Sequence, residues 1–221
     1  MKILLLGASG TLGKELQKIN ADMLCPSHEE LNIYQSQILQ DYMFLHNPDI
    51  VIHAAGIIDN CQVEKFPINA INDNIIGTAE VAKNCCFRNV RLVFISTDYV
   101  YPGDHGNYKE SDPLMPFNLY AWTKLGGECA VKTVKNHLII RTSFGKNKFD
   151  YSEAFTDKWS SKDYTDVIAP LIYEAAISPL TGVLNLGTER KTLYQYAKQR
   201  NYSVVPIKLK DANFSSPYDT S

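Results

Sequence analysis

Tyr120 and Lys124 stand four residues apart, and upstream of them the apolar run Arg91 to Ile95 leads into Ser96-Thr97-Asp98. If Tyr120 opens a helix, Lys124 lies one turn along the same face. An ammonium beside a phenol favours the phenolate. Two charges 4 Å apart at an effective dielectric of 20 interact by about 4 kcal/mol, which limits the lowering of the tyrosine pKa to roughly 3 below its usual ~10. Such a phenol can give up a proton near neutral pH, and the Thr97 hydroxyl could hold a substrate oxygen beside it. The chemistry these residue types suit is hydride transfer to a carbonyl, with Tyr120 as acid. The Tyr-x-x-x-Lys spacing alone says little, since the chain has 13 tyrosines and repeats the spacing at Tyr194 and Lys198. That second pair falls in an ordinary amphipathic pattern with no Ser/Thr strand end before it and reads as a surface feature.

What sets Tyr120 and Lys124 apart is the run of elements before them. Lys2 to Leu6 is a short apolar stretch suited to a strand buried on both faces. It runs into Gly7-Ala8-Ser9-Gly10-Thr11-Leu12-Gly13 and then a helical pattern. Strand, glycine loop and helix is the context of a dinucleotide site, with the pyrophosphate at the helix N-terminus. A second strand is expected over Asp22 to Cys25. No acidic residue stands at its tip for a ribose 2′-hydroxyl; Ser27 and His28 stand there instead, which leans toward a 2′-phosphate and NADP, or else they are solvated loop residues. A helix over Ser36 to Leu45 precedes a third strand, Asp49 to His53, whose end Ala54-Ala55-Gly56 is small enough for a cofactor to cross it. His53 itself reads as a packed strand-end residue.

Farther along, a long helix is expected over Ala70 to Cys86, a polar loop over Pro102 to Phe117, and a fifth strand over His137 to Arg141 ending in Thr142-Ser143-Phe144-Gly145. Lys146 to Ser161 reads as a loop or small lobe over the site. Tyr164 to Ala176 and Thr192 to Arg200 read as helices, Gly182 to Leu186 and Ser203 to Lys208 as strands. Alternating strand and helix implies an α/β fold, a doubly wound parallel sheet. Residues 1–145 would form the nucleotide-binding core and 146–221 a short substrate-side lobe, with strand 182–186 rejoining the core.

Composition narrows the partners. The chain has 221 residues, 45% of them hydrophobic, a net charge of −2 and a pI near 6.2, which argues against a nucleic-acid footprint. Five scattered cysteines without metal spacing fit reduced thiols in a cytoplasmic protein, and no metal site is expected. The N-terminal apolar run is too short for a signal peptide or a membrane span.

Taken in order, Gly7-x-x-Gly10-x-x-Gly13, His53-Ala54-Ala55-Gly56, Ser96-Thr97-Asp98-Tyr99-Val100-Tyr101 and Tyr120-x-x-Thr123-Lys124 resemble the extended short-chain dehydrogenase/reductase superfamily. More narrowly, the chain resembles its dTDP-4-dehydrorhamnose reductase branch, which Pro116-Phe117-Asn118-Leu119-Tyr120, Arg141-Thr142-Ser143-Phe144 and Val183-Leu184-Asn185-Leu186-Gly187 also match. The resemblance implies a Rossmann fold and an NADPH- or NADH-dependent reductase of a nucleotide-linked 4-keto-6-deoxy sugar. Thr97, Tyr120 and Lys124 would be catalytic, with Tyr120 and Lys124 also touching the cofactor. Gly7, Gly10, Thr11, Leu12, Gly13, Ser27, His28, Asn32, Ala54, Ala55 and Gly56 would line the cofactor, and Asp98, Tyr99, Thr142, Ser143 and Phe144 the substrate.

The chain also departs from the branch. It is shorter between Gly145 and Tyr164 and at the C-terminus, Asn32 replaces a usual Asp near the adenine, and Phe144 replaces a frequent Trp. The shortened substrate region leaves a non-catalytic NADP(H)-binding regulatory subunit as an alternative. A sugar-nucleotide epimerase using the same triad is another; dehydration is disfavoured because Asp98-Tyr99, not Asp-Glu, follows Thr97. Relatives often pair through two long helices, which here would be Ala70 to Cys86 and Leu119 to Val134, giving a homodimer.

Overall fold

Burial of both faces of one sheet dictates the architecture. In the computed structural model, which describes residues 1–212 and 216–221, every residue of strand β1 (Ile3–Leu6) is buried. Ile3 and Leu5 join one apolar cluster while Leu4 and Leu6 join another, the period-two alternation of a strand between two layers. Helix α1 (Thr11–Ile19) buries Leu12, Gly13 and Leu16. Helix α2 (Ser36–His46) buries Leu39 and Met43, one turn apart, and ends where Asn47 takes a left-handed conformation. Strand β2 (Ile50–His53) follows, then the short helices α3 (Asn60–Lys65) and α4 (Pro67–Ala70), a π-helical segment (Ile71–Gly77) and α5 (Thr78–Arg88).

The chain continues with β3 (Arg91–Thr97), α6 (Leu119–Val131), β4 (His137–Thr142) and β5 (Phe144–Gly145). The lobe holds β6 (Glu153–Phe155), β7 (Trp159–Ser160) and β8 (Asp163–Tyr164). Last come α7 (Thr165–Ile177), β9 (Gly182–Leu186), β10 (Lys191–Thr192), α8 (Leu193–Lys198) and β11 (Val205–Ile207). The main sheet is five-stranded and parallel, in the order β1-β2-β3-β4-β9. One face packs on Leu12 and Leu16 of α1 and Ile168 and Ile172 of α7, the other on Leu39, Met43, Val81 and Val131 of α2, α5 and α6. This is the doubly wound α/β arrangement of a Rossmann fold.

Three expectations are corrected. The strand over Asp22 to Cys25 shrinks to a single bridge, Leu4 with Leu24, on the outer edge of β1; Pro26 follows at once and cannot donate to a ladder. The strand over Ser203 to Lys208 is reduced to β11, which pairs with β6 in the lobe and not with the main sheet. The long helix Ala70 to Cys86 is interrupted by the π-helical segment, whose extra residue per turn re-aims Asn74 inward.

His53, at the end of β2, is fully buried, with Nε2 3.0 Å from Thr78 Oγ1. Burial, with the nearby Lys124 charge, pushes its pKa down to about 3. The unfolded chain, where histidine titrates near ~6.5, therefore takes up a proton that the folded one refuses. The stability this contributes is complete above about pH 6.5 and is lost as pH falls toward 3, at no more than about 1.4 kcal/mol per pH unit. Urea unfolding between pH 6.5 and 4.5 should show a shallower loss in His53→Gln than in the native protein; equal slopes would remove His53 as the cause.

Candidate active site

The carboxyl ends of β1, β2, β3 and β4 open on a trough. Two neighbouring cavities of about 250 and 280 Å³ share Gly7, Gly10 and Ala54 to Gly56. The first is bordered by Ser9, Pro26, His28, Leu31, Ile33 and Asp73. The second reaches Thr97, Asp98, Tyr99, Tyr120, Lys124, Thr142, Ser143, Phe144 and Lys162.

The glycine turn is built for close approach. Gly7 has φ +90°, and a Cβ there would lie 2.6 Å from Ala54 C and Ala55 N; a Cβ on Gly13 would lie 2.3 Å from the Gly7 oxygen. Helix α1 therefore packs directly on the turn. Gly10, its N-cap, provides no side-chain acceptor, so the first N–H groups of the helix point to the trough as donors for an anion. A narrow backbone cradle, a free helix N-terminus and an elongated trough across the sheet edge fit a dinucleotide with its pyrophosphate on Gly10 to Gly13.

Tyr120 and Lys124 are placed by α6. Asn118 caps this helix, its Oδ1 accepting from the Ala121 N–H at 2.9 Å, which satisfies one of the donors a helix start leaves free. The π-helical segment fixes the helix against the trough. Asn74 Nδ2 donates to Thr123 Oγ1 at 2.8 Å and to the Ile57 oxygen at 2.9 Å, and Asn74 Oδ1 accepts from the Ile57 N–H at 2.8 Å. One side chain thereby ties the loop after β2 to the helix carrying Tyr120. Thr97 ends β3, its Oγ1 accepting from the Tyr99 N–H at 3.2 Å.

The electrostatics differ from the expectation for an isolated Tyr-Lys pair. Burial, reinforced by the Asp98 charge, raises the Tyr120 pKa above its ordinary value, and a hydrogen bond with Thr97 offsets only part of this. The Lys124 ammonium lies 4.1 Å over the Phe94 ring, and burial lowers its pKa to about 7, with Glu128 one turn along opposing the fall. The expected phenolate is thus corrected: burial and the Asp98 charge hold the phenol up, and it keeps its proton at neutral pH.

Behind Lys124 lies a network absent from the expected site. Glu128, fully buried, accepts from Ser96 Oγ at 2.5 Å and pairs bidentately with Arg141, Nη2 to Oε2 at 2.7 Å and Nε to Oε1 at 3.1 Å. Arg141 also donates to Tyr101 Oη at 2.8 Å. Glu128 continues the face of Tyr120 and Lys124 at the next helical turn, a periodicity the sequence displays. Lys162 had no comparable signal, because its position depends on how the lobe folds back.

The remaining expected residues are placed as follows. Gly7, Gly10, Thr11, Leu12, Gly13, Ala54, Ala55 and Gly56 border the trough together with Asp98, Tyr99, Thr142, Ser143 and Phe144. His28 borders its other end. Ser27 and Asn32 do not line either cavity: Ser27 exchanges bonds with Glu30, and Asn32 Oδ1 accepts from the Tyr34 N–H. Both close their own turns. The second tyrosine-lysine pair is on α8 away from the trough, Lys198 Nζ lying 5.4 Å over the Tyr194 ring. Among the described residues no group of His, Cys, Asp and Glu could hold a metal ion, and no helix is long and apolar enough to cross a membrane.

Comparison with known proteins agrees with this geometry. The family model of the RmlD substrate binding domain matches residues 1–170. The chain is 28% identical over 235 aligned positions to methionine adenosyltransferase 2 subunit beta of Bos taurus, covering 89% of this chain and 70% of that one. It is 28% identical over 180 positions to a dTDP-4-dehydrorhamnose reductase of Aggregatibacter actinomycetemcomitans, covering 77% of this chain and 61% of the relative. The crystal structure of dTDP-4-dehydrorhamnose reductase from Bacillus anthracis in complex with NADP superposes with a TM-score of 0.87 at 26% identity, covering 99% of this chain and 89% of that one.

Proposed function

Because the chain belongs to the RmlD substrate binding domain family, we propose that it is an NADP(H)-dependent reductase of a nucleotide-linked 4-keto-6-deoxy sugar, with NAD(H) as a second usable cofactor. The observation that carries this reading is that Thr97, Tyr120 and Lys124 border one cavity, and that this cavity is continuous with the glycine trough. Residues 1–145 carry the dinucleotide and 146–221 the substrate side. The nicotinamide, when bound, supplies a hydride to the keto carbon.

The chain's own residues supply the rest. Thr97 holds the keto oxygen with its hydroxyl, and Tyr120 delivers a proton to it as negative charge develops. A phenol whose pKa is raised rests in the protonated form that this direction of reaction requires. Lys124 lies one turn along from Tyr120, and the dinucleotide's phosphates, bringing negative charge, would raise its lowered proton affinity. Glu128, held by Arg141 and Ser96, fixes the helix face that carries both.

The likeness to methionine adenosyltransferase 2 subunit beta favours a second reading, a subunit that binds the dinucleotide without turnover. One experiment separates the two. Fluorescence titration with NADPH and NADH should show binding of NADPH, and a panel of dTDP-, GDP- and UDP-linked 4-keto-6-deoxy sugars should then oxidise the bound cofactor. Tight NADPH binding with no oxidation by any sugar would overturn the reductase in favour of the subunit.

A homodimer belongs to the same proposal. Ile68, Ile71 and Ile76 along α4 and the π-helical segment, with Leu119 and Trp122 on α6, are exposed, and α6 packs beside that segment. A second copy would cover this apolar face, and sedimentation equilibrium reads the stoichiometry directly; a monomer throughout would dismiss it. The free thiols, Cys25, Cys61, Cys85, Cys86 and Cys129, fit a reducing compartment, the cytoplasm.

A further inference from the structure

Five cations of the C-terminal lobe differ in their partners. Arg190, Lys191 and Arg200 each have a carboxylate at hydrogen-bonding distance: Asp219 at 2.6 Å, Asp163 at 2.7 Å and Asp166 at 2.8 Å. Lys158 and Lys162 have none. Among the described residues neither makes an ion pair within 4.0 Å, and both face Asp98, the one carboxylate bordering the cavity. Asp98 has its oxygens engaged elsewhere, accepting from Thr220 Oγ1 at 2.7 Å and Thr97 Oγ1 at 3.2 Å.

Lys158 is satisfied locally, donating to Tyr99 Oη at 3.1 Å and to Ser216 Oγ. Lys162 is different. It borders the cavity beside Ser143 and Phe144, and among the described residues its ammonium has no hydrogen-bond acceptor, only the Tyr196 ring 5.7 Å away. Burial lowers its proton affinity. A half-buried ammonium that borders the cavity without a protein acceptor is placed to meet an anionic group brought by a ligand.

We propose that Lys162, backed by the charge of Lys158, is an oxyanion subsite for the substrate, taking a phosphate or carboxylate group of the nucleotide sugar. The inference rests on the reading of this cavity as a nucleotide-sugar site. Topology separates the subsite from the cofactor's pyrophosphate. Lys162 immediately precedes β8, which pairs with β5 just past the end of β4, and β4 lies three places along the sheet from β1 and its glycine turn. Both positions border the second cavity, the glycine turn from the end of β1 and Lys162 from beyond the end of β4.

Calorimetric titration of the NADP-loaded protein tests this with three probes: dTDP, UDP-glucose and UDP-glucuronate. Lys162→Gln should weaken binding of at least one probe about tenfold or more, the loss of a charge-assisted hydrogen bond, while Lys162→Arg retains it and NADP affinity is unchanged in both. Weakening of dTDP or UDP-glucose assigns the subsite to the diphosphate; weakening of UDP-glucuronate alone assigns it to a sugar carboxylate, which a 6-deoxy sugar lacks, and so overturns that substrate class while the subsite stands. Equal affinities in native protein and Lys162→Gln, or no binding of any probe to the native protein, overturn the proposal. Binding needs no turnover, so a Lys162-dependent affinity in a protein that reduces no sugar would sink the reductase and leave the subsite standing.

Discussion

Tyr120→Phe will lower kcat about 10²–10⁴-fold, the range one positioned acid contributes, while NADPH affinity stays at the native value. The change removes a single oxygen. Its ring remains on α6, the Asn118 cap and the Asn74 clamp on Thr123 are untouched, and no glycine of the trough is altered. Loss of turnover with retained binding is therefore a loss of proton delivery. The direction of the Tyr120 pKa sharpens the expectation: the phenol is raised, not lowered, so it enters the reaction with its proton, and water would have to supply that proton in the variant. Steady-state assay with NADPH and the sugar found active in the panel, beside a fluorescence titration of the same preparation, measures both quantities. Turnover within threefold or so of native would take Tyr120 out of the mechanism, since a shared acid loses more than that.

The second large effect is on stability. Arg141→Met takes away both bonds of the bidentate pair and leaves the buried Glu128 carboxylate hydrogen-bonded to the Ser96 hydroxyl alone among the described residues. Breaking a buried pair by removing one partner costs about 3–5 kcal/mol, a large part of the roughly 5–15 kcal/mol that holds a domain folded. The double variant Glu128→Leu with Arg141→Met should recover much of the loss, because the buried carboxylate is then removed together with its guanidinium. Urea unfolding of the two variants and the native protein, compared at their midpoints, decides it. A double variant no more stable than Arg141→Met would mean that the side chains matter by shape and not by charge. Because Glu128 stands one turn along from Lys124 and raises its proton affinity, the double variant should also hold Lys124 less protonated near neutrality.

Much of the site can be read in the chain before it folds. Gly7, Gly10 and Gly13 are needed where a backbone must turn sharply and a helix must press on that turn, and such demands are local, so residue type and spacing display them. The face shared by Tyr120 and Lys124 follows from helical periodicity, and β1 to β4 follow from short apolar runs bounded by turn residues. The same locality explains the misreadings. A strand over Asp22 to Cys25 needed a partner along its whole length and found one only at Leu24; Ser27 and Asn32 spent their polar atoms on neighbouring backbone before any ligand could compete.

Sequence alone therefore determined which chemical groups were present and which local backbone shapes they could adopt, including a nucleotide turn and a tyrosine with its lysine one helical turn away. Only the tertiary structure decided the charge state of those groups and their company. Whether Tyr120 rises or falls in pKa depends on how much water the fold removes and on Asp98 from another element. Glu128 meets Arg141 across the boundary between α6 and β4, and Lys162 reaches the cavity only because β8 pairs with β5. Desolvation and long-range contact are sums over the whole fold, and no window of residues contains them.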